Sequence, residues 1–222
     1  MKLRLILFLL SLQLLPVIAQ QQKQQQQQPA ESYHKMLVNR ADKIVQTLGI
    51  TDSVKYKRVV DIVVNHFATI GRIQDVADST VKAIKFERPD KEELEVMIKS
   101  FQNDRDAKLY HQHATFSAQL QSELTPEQIE GVKNGLTDQM LNVTYKATLE
   151  MIPTLKEDEK RQIWIWLLEA REHAIDVSTS DAKRGWFGKY QGRINNYLVS
   201  RGYDLIKERA AWTERIKKQK SN

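Results

Sequence analysis

Beyond residue 31 the chain has three prolines, Pro89, Pro126 and Pro153, and each stands where a helical pattern of apolar residues starts or stops. Proline fixes φ and has no N–H to give a helix interior, so this placement punctuates helices and leaves long runs between the breaks. Within the runs, apolar residues recur at steps of three and four. Met36, Leu37, Ile44 and Leu48 predict a helix over 32–48. Val59, Ile62, Val63, His66, Phe67, Ile70 and Ile73 carry a second one from the cap residues Thr51 and Asp52 toward Lys85. Pro89-Asp90 opens a third, with Leu94, Met97, Ile98, Phe101, Leu109, Phe116 and Leu120 along it, reaching Glu123. The short connection around Phe86 to Arg88 makes these two an antiparallel hairpin.

The stretch LTPEQ, Leu124 to Gln128, starts the second half. Thr125 can cap, Pro126 takes the first helical position, and Gln128 stands where a capping box places its glutamine. Gly135-Leu-Thr-Asp138 breaks this helix, and the next ends before Pro153. Further helices are expected over 156–177, 181–200 and 203–219. In the first of these, Ile163, Trp166, Ala170 and Ala174 follow one stripe, and Trp164, Leu167, Leu168 and Ile175 another, so it should touch more than one neighbour. No run alternates in the manner of a strand. The expected fold is all-α: a helical bundle with a long helical hairpin followed by shorter packed helices, in one domain over 32–208, then a basic tail over 209–222.

The first twenty residues, MKLRLILFLLSLQLLPVIAQ, combine Lys2 and Arg4 with a mostly apolar run from Leu5 to Leu15. The run is about half the roughly 20 residues a membrane-spanning helix needs. Residues 1–19 therefore read as a signal peptide, and the chain as periplasmic or secreted with no transmembrane anchor. The glutamine-rich residues 20–31 read as a disordered linker. With no cysteine, neither a lipid-anchored cysteine nor a disulfide is available, and the domain has to hold by its core. Without residues 1–19 the chain has 32 basic residues against 28 acidic. From Lys183 onward there are 11 basic and 3 acidic residues, so the positive excess is C-terminal. Export argues against a nucleic-acid partner for that charge.

Few catalytic patterns are present. Thiol chemistry and thiolate zinc sites are excluded, and there is no nucleophile elbow or glycine-rich phosphate loop. His111 and His113 diverge by about 200° on a helix and are expected to face solvent. His66, on an apolar stripe, reads as a hydrogen-bonded core histidine. No metal site and no cofactor is expected. Glu169, His173 and Asp176 share a helix face at steps of four and three, where a carboxylate can orient an imidazole for acid–base work. A solvated charged face explains the same spacing. The stretch KRGWFGKYQGRINNYLVSRGYDL, Lys183 to Leu205, holds five aromatic residues and four of the chain's eight glycines. Gly185 and Gly188 bracket Trp186-Phe187, so the backbone can turn sharply there and approach a neighbour closely. From there Trp186, Lys189, Tyr190, Arg193, Asn196 and Tyr197 give a ligand surface or, equally, a packed corner.

The order of LTPEQIEGVKNGLT, VTYKATLEMIPTLKEDEKRQIWIWLLEAREHAID and KRGWFGKYQGRINNYLVSRGYDL resembles the secreted bacterial family of domain of unknown function 3826. The likeness covers about Ala41 to Glu208. It implies a setting of exported proteins in polysaccharide-degrading bacteria, and no reaction. LTPEQ alone is similar to the Leu-Thr-x-x-Gln signature of small helical periplasmic chaperones. Three functions stand: a non-catalytic binding or accessory protein of the cell envelope, taking a glycan or an envelope protein; a glycan-active enzyme drawing on Tyr145, Glu169, His173, Asp176 and Arg193; and a chaperone-like protein.

Overall fold

The computed structural model describes residues 30–220. The expected signal peptide and the linker up to residue 29 lie outside the described residues; 30 and 31 open the first helix. Helix α1 covers residues 30–45 and tightens into a 3-10 turn at Gln46–Leu48. Gly49 ends it with φ 66°, in the left-handed region where a side chain is strained. Helices α2 (Ser53–Glu87) and α3 (Lys91–Glu123) follow, and the cap of α2 is Asp52, whose carboxylate accepts from the N–H groups of Val54 and Lys55. Asp90 caps α3 in the same way through Glu93 N–H. Arg58 near the start of α2 forks onto Glu123 at the end of α3, at 2.7 and 2.9 Å, so the two helices run antiparallel.

Helix α4 (Pro126–Leu136) begins with the capping box that its sequence announces, Thr125 and Gln128 each satisfying the other's backbone N–H. It lies so close to α1 that a Cβ on Gly135 would stand 2.8 Å from Ile44 Cγ2. Leu37, Ala41 and Val45 of α1, Val59, Val63 and Val64 of α2, Phe116 and Leu120 of α3, and Val132 and Leu136 of α4 form a first core. The buried residues of α3 are Phe116 and Leu120, and those of α2 end at Gly71 apart from Ile84. The far half of the hairpin therefore extends past the core as a two-helix arm.

A second core belongs to α5 (Met140–Met151), α6 (Glu157–Ala174), α7 (Ser180–Ser200) and α8 (Leu205–Lys220). Its buried apolar residues include Leu141, Ile163, Leu167, Ala170, Phe187, Ile194 and Leu198. Helix α6 packs against α4, α5 and α7, as its two stripes imply. The deeply buried stripe is Ile163, Leu167, Ala170 and Ala174, while Trp164 and Trp166 are half-buried. The described residues contain helices and no strand, and none of these helices is long and apolar enough to cross a membrane.

The glycines of α7 correct one expectation. Gly185, Gly188 and Gly192 lie inside an unbroken helix, with no sharp turn at Trp186-Phe187. A Cβ built on any of the three meets nothing within 4 Å. The chain stays helical because Thr179 caps the first turn through Ala182 N–H and the apolar row Phe187, Ile194 and Leu198 holds the helix to the core. Burial on one face outweighs three weak helix formers on the other.

Candidate functional site

Helices α6 and α7 run antiparallel, and their facing residues come in register. On α7, Trp186, Tyr190, Arg193 and Tyr197 step by four, three and four residues; on α6, Trp166, Glu169 and His173 step by three and four. His173 stacks on Trp186, ring centroids 4.2 Å apart and planes 13° from parallel. Next along the row, the His173 and Tyr190 centroids are 6.2 Å apart. Glu169 lies beside Tyr190 and is 3.5 Å from Arg193 Nη1. The Arg193 guanidinium covers the Trp166 ring at 4.6 Å from its centroid, and Tyr197 meets that ring edge-on at 5.2 Å. At the other end Lys189 Nζ stands 4.9 Å from the Trp186 centroid. Seven of the expected ligand and acid–base residues thus join Trp166 in one strip.

Exposure decides what the strip can do. Arg193 is 56% exposed and Glu169 45%, and a pair 3.5 Å apart in water is weak. Lys189 is exposed too. Both cations rest on tryptophan rings, which attract them through the ring quadrupole, and both side chains have room to move. Tyr190 is nearly buried, and burial, then the charge of Glu169, push its hydroxyl above the ordinary tyrosine range. Such a phenol is a poor base at neutral pH.

The model for the family described as a protein of unknown function (DUF3826) matches residues 34–218. The chain belongs to this family. No curated protein matches it. The matched span takes in both cores and the whole strip, so in this DUF3826 protein the strip is part of the family domain itself.

The remaining candidates lie elsewhere in that domain. Tyr145, on α5, meets the edge of Trp164 at 4.9 Å. Asn196 is exposed at the border of the strip. Asp176 pairs outside the strip: its Oδ2 is 2.8 Å from Nδ1 of His113 on α3. This also corrects the reading of the two α3 histidines, for His111 is exposed while His113 is half-buried against Asp176. Helix α6 ends at Ala174, and Asp176, whose N–H still bonds to His173 O at 3.3 Å, gives its carboxylate to His113. His66 is the core histidine its position implies, stacked on Phe116 and with Nε2 3.0 Å from Ile175 O. An open groove between α2 and α3, lined by Thr69, Ile73, Ala107, Lys108, His111 and Gln112, includes none of the strip residues.

Three polar anchors escaped sequence reasoning. Glu159 is buried at the start of α6, where it accepts from Tyr203 Oη at 2.6 Å, Arg201 Nε at 2.9 Å and Lys156 N–H at 3.0 Å. The Tyr203 hydroxyl above all, then the backbone donor and Arg201, hold its carboxyl down to about 2 against the opposing effect of burial. Arg171, 2% exposed, forks onto Glu130 at 2.6 and 2.9 Å and reaches Asn134 at 2.9 Å. Lys183 is buried with Nζ 2.5 Å from Leu136 O, where its charge meets the negative end of α4. Burial lowers it to about 8. The stretch from Lys183 to Leu205 therefore divides: Lys183, Arg201 and Tyr203 fasten the fold, while Lys189 and Arg193 are exposed beside the half-buried Trp186.

Proposed function

We propose that this DUF3826 protein is a non-catalytic binding or accessory protein of the cell envelope, and that the α6–α7 strip takes an acidic saccharide. The observation that carries this reading is the pairing of each strip tryptophan with an exposed, movable cation: Arg193 over Trp166 and Lys189 over Trp186. A sugar ring presents a C–H face to an aromatic ring and hydroxyls at its rim. Settling on Trp166, it displaces the guanidinium, which is then free to grip a sugar carboxylate with two hydrogen bonds. Its present partner Glu169 is held loosely enough to release it. The signal-like residues 1–19 support an exported location, and the family likeness supports the glycan setting.

A catalytic reading has less to work with. Glycoside hydrolysis needs two carboxyls flanking one bond. Glu169 is in the strip, but Asp176 is engaged by His113 and Tyr145 lies against Trp164. The raised Tyr190 hydroxyl does not supply the base of an elimination. Calorimetric titration with oligogalacturonate and with its methyl-esterified form tests the proposal. The expected result is saturable binding of the acid form, weakened at least tenfold by esterification or by Arg193→Ala. Absence of binding to acidic and neutral oligosaccharides alike would remove the saccharide reading, and product formation would replace it with an enzymatic one.

A further inference from the structure

The two cores meet through a polar seam at the end of α6. The loop 175–178 is tied to the α2–α3 hairpin at four points. His66 Nε2 lies 3.0 Å from Ile175 O. Gln74 donates to Asp176 O at 3.3 Å and accepts from Ser178 N–H at 3.0 Å and from the Ser178 hydroxyl. His113 Nδ1 meets Asp176 Oδ2 at 2.8 Å. The other three ties join neutral groups (the His66 ring, the Gln74 amide and the Ser178 hydroxyl) to backbone or to one another, and only the His113–Asp176 tie can carry opposite charges. Asp176 depends on it, because its other oxygen, Oδ1, is buried with no hydrogen-bond partner.

Every element around the seam contributes a charged or titratable group. Helix α2 gives His66, α4 gives Lys133, α6 gives Arg171, Glu172 and His173, and α7 gives Lys183. Lys133 is committed to Glu172 at 2.6 Å and Arg171 to Glu130. His113 Nε2 faces Glu172 Oε2 at 3.7 Å. A charged His113 thus stands between two carboxylates; a neutral one leaves Asp176 with a hydrogen bond, an orphaned oxygen and a second anion close by. On the same turn of α6, His173 stacks on Trp186.

We propose that the charge on His113 latches the α5–α8 half onto the hairpin, and that loss of this charge loosens the end of α6 and unseats His173 from Trp186. The sign follows from the pairing. The Asp176 hydrogen bond, against the opposing effect of burial, raises His113 above the ordinary histidine value of 6.5. Burial raises the Asp176 carboxyl above its ordinary range, so the latch is complete only between the point where Asp176 ionises and about pH 6.5, and it is lost as pH climbs through the raised His113 value. His66, lowered to about 4 mainly by burial, stays neutral over that range and does not blur the transition.

Hydrogen–deuterium exchange of the full chain from pH 5.5 to 9, corrected for intrinsic rates, reads the latch directly over 172–187. Ring-proton NMR of His113 gives the midpoint in the same samples. Protection of this segment should fall as pH rises through that midpoint, by roughly tenfold for each unit by which the ring is raised. His113→Asn keeps a donor near the Nδ1 position and removes the charge. It should hold the segment at the wild-type high-pH level throughout. Wild-type protection unchanged through the midpoint overturns the proposal, and so does a His113→Asn protein with the same pH dependence as wild type.

Discussion

Helix α6 carries a glutamate–arginine pair on each of two faces, and the pairs are opposites in environment. Arg171 is 2% exposed and held by a two-pronged contact with Glu130 at 2.6 and 2.9 Å. Arg193, reaching Glu169 from α7, is 56% exposed, 3.5 Å from its partner, and rests on an aromatic ring. A buried guanidinium needs its partners, because a lone charge out of water is costly. An exposed one loses little by exchanging its partner for another anion. The first pair therefore fixes how α4 sits on α6, and the second is free to act on a ligand. Proximity of residue types alone does not distinguish the two; burial does.

The comparison breaks most visibly at Glu130. Glu130→Ala takes the two-pronged partner from the buried Arg171, leaving it Asn134 and Glu172, and should cost about 2 kcal/mol, a fall in Tm of roughly 4–8 °C by thermal unfolding. Glu169→Ala should cost under about 1 kcal/mol. Equal losses would mean that the exposed pair is structural as well. A second test uses His66 in the seam between the cores. Its folded value of about 4 lies below the ordinary 6.5, so the folded state binds fewer protons than the unfolded chain. Stability should thus drop as pH falls from 6.5 toward 4, by about 3 kcal/mol in all, and His66→Gln should flatten that limb in denaturant titrations. An acid limb unchanged in His66→Gln would assign it to other groups.

The same contrast explains what could be read from the sequence. The helices follow from proline placement, caps and apolar spacing, because those signals are local. LTPEQ announced its capping box, and Glu123 ended its helix as expected. The strip was largely legible for the same reason: Trp186, Tyr190, Arg193 and Tyr197 share a helix face by spacing alone. What failed depended on contacts distant in sequence. Helical spacing pairs Asp176 with His173, three residues away, whereas the fold gives its carboxylate to His113, 63 residues away. The burial of Arg171, Lys183 and Glu159 is not legible in the sequence, because a charged residue in a helical pattern ordinarily reads as solvated and only the tertiary fold buries it. Gly185 and Gly188 misled because glycine permits a turn without requiring one.

Those glycines sharpen the contrast by an opposite sign. Gly185, Gly188 and Gly192 sit in an exposed helix interior with nothing near the missing side chains. Replacing all three by alanine should stabilise the protein by about 2 kcal/mol, read from the denaturant midpoint. Loss of stability would reveal a neighbour on that side of α7.

The central claim is that Arg193 serves a ligand and not the fold, and Arg193→Ala measured in parallel for Tm and for oligogalacturonate binding tests it most directly. The account predicts a Tm within about 2 °C of wild type and binding weakened at least tenfold. A Tm lowered by several degrees with unchanged binding would make the strip a structural corner and contradict it.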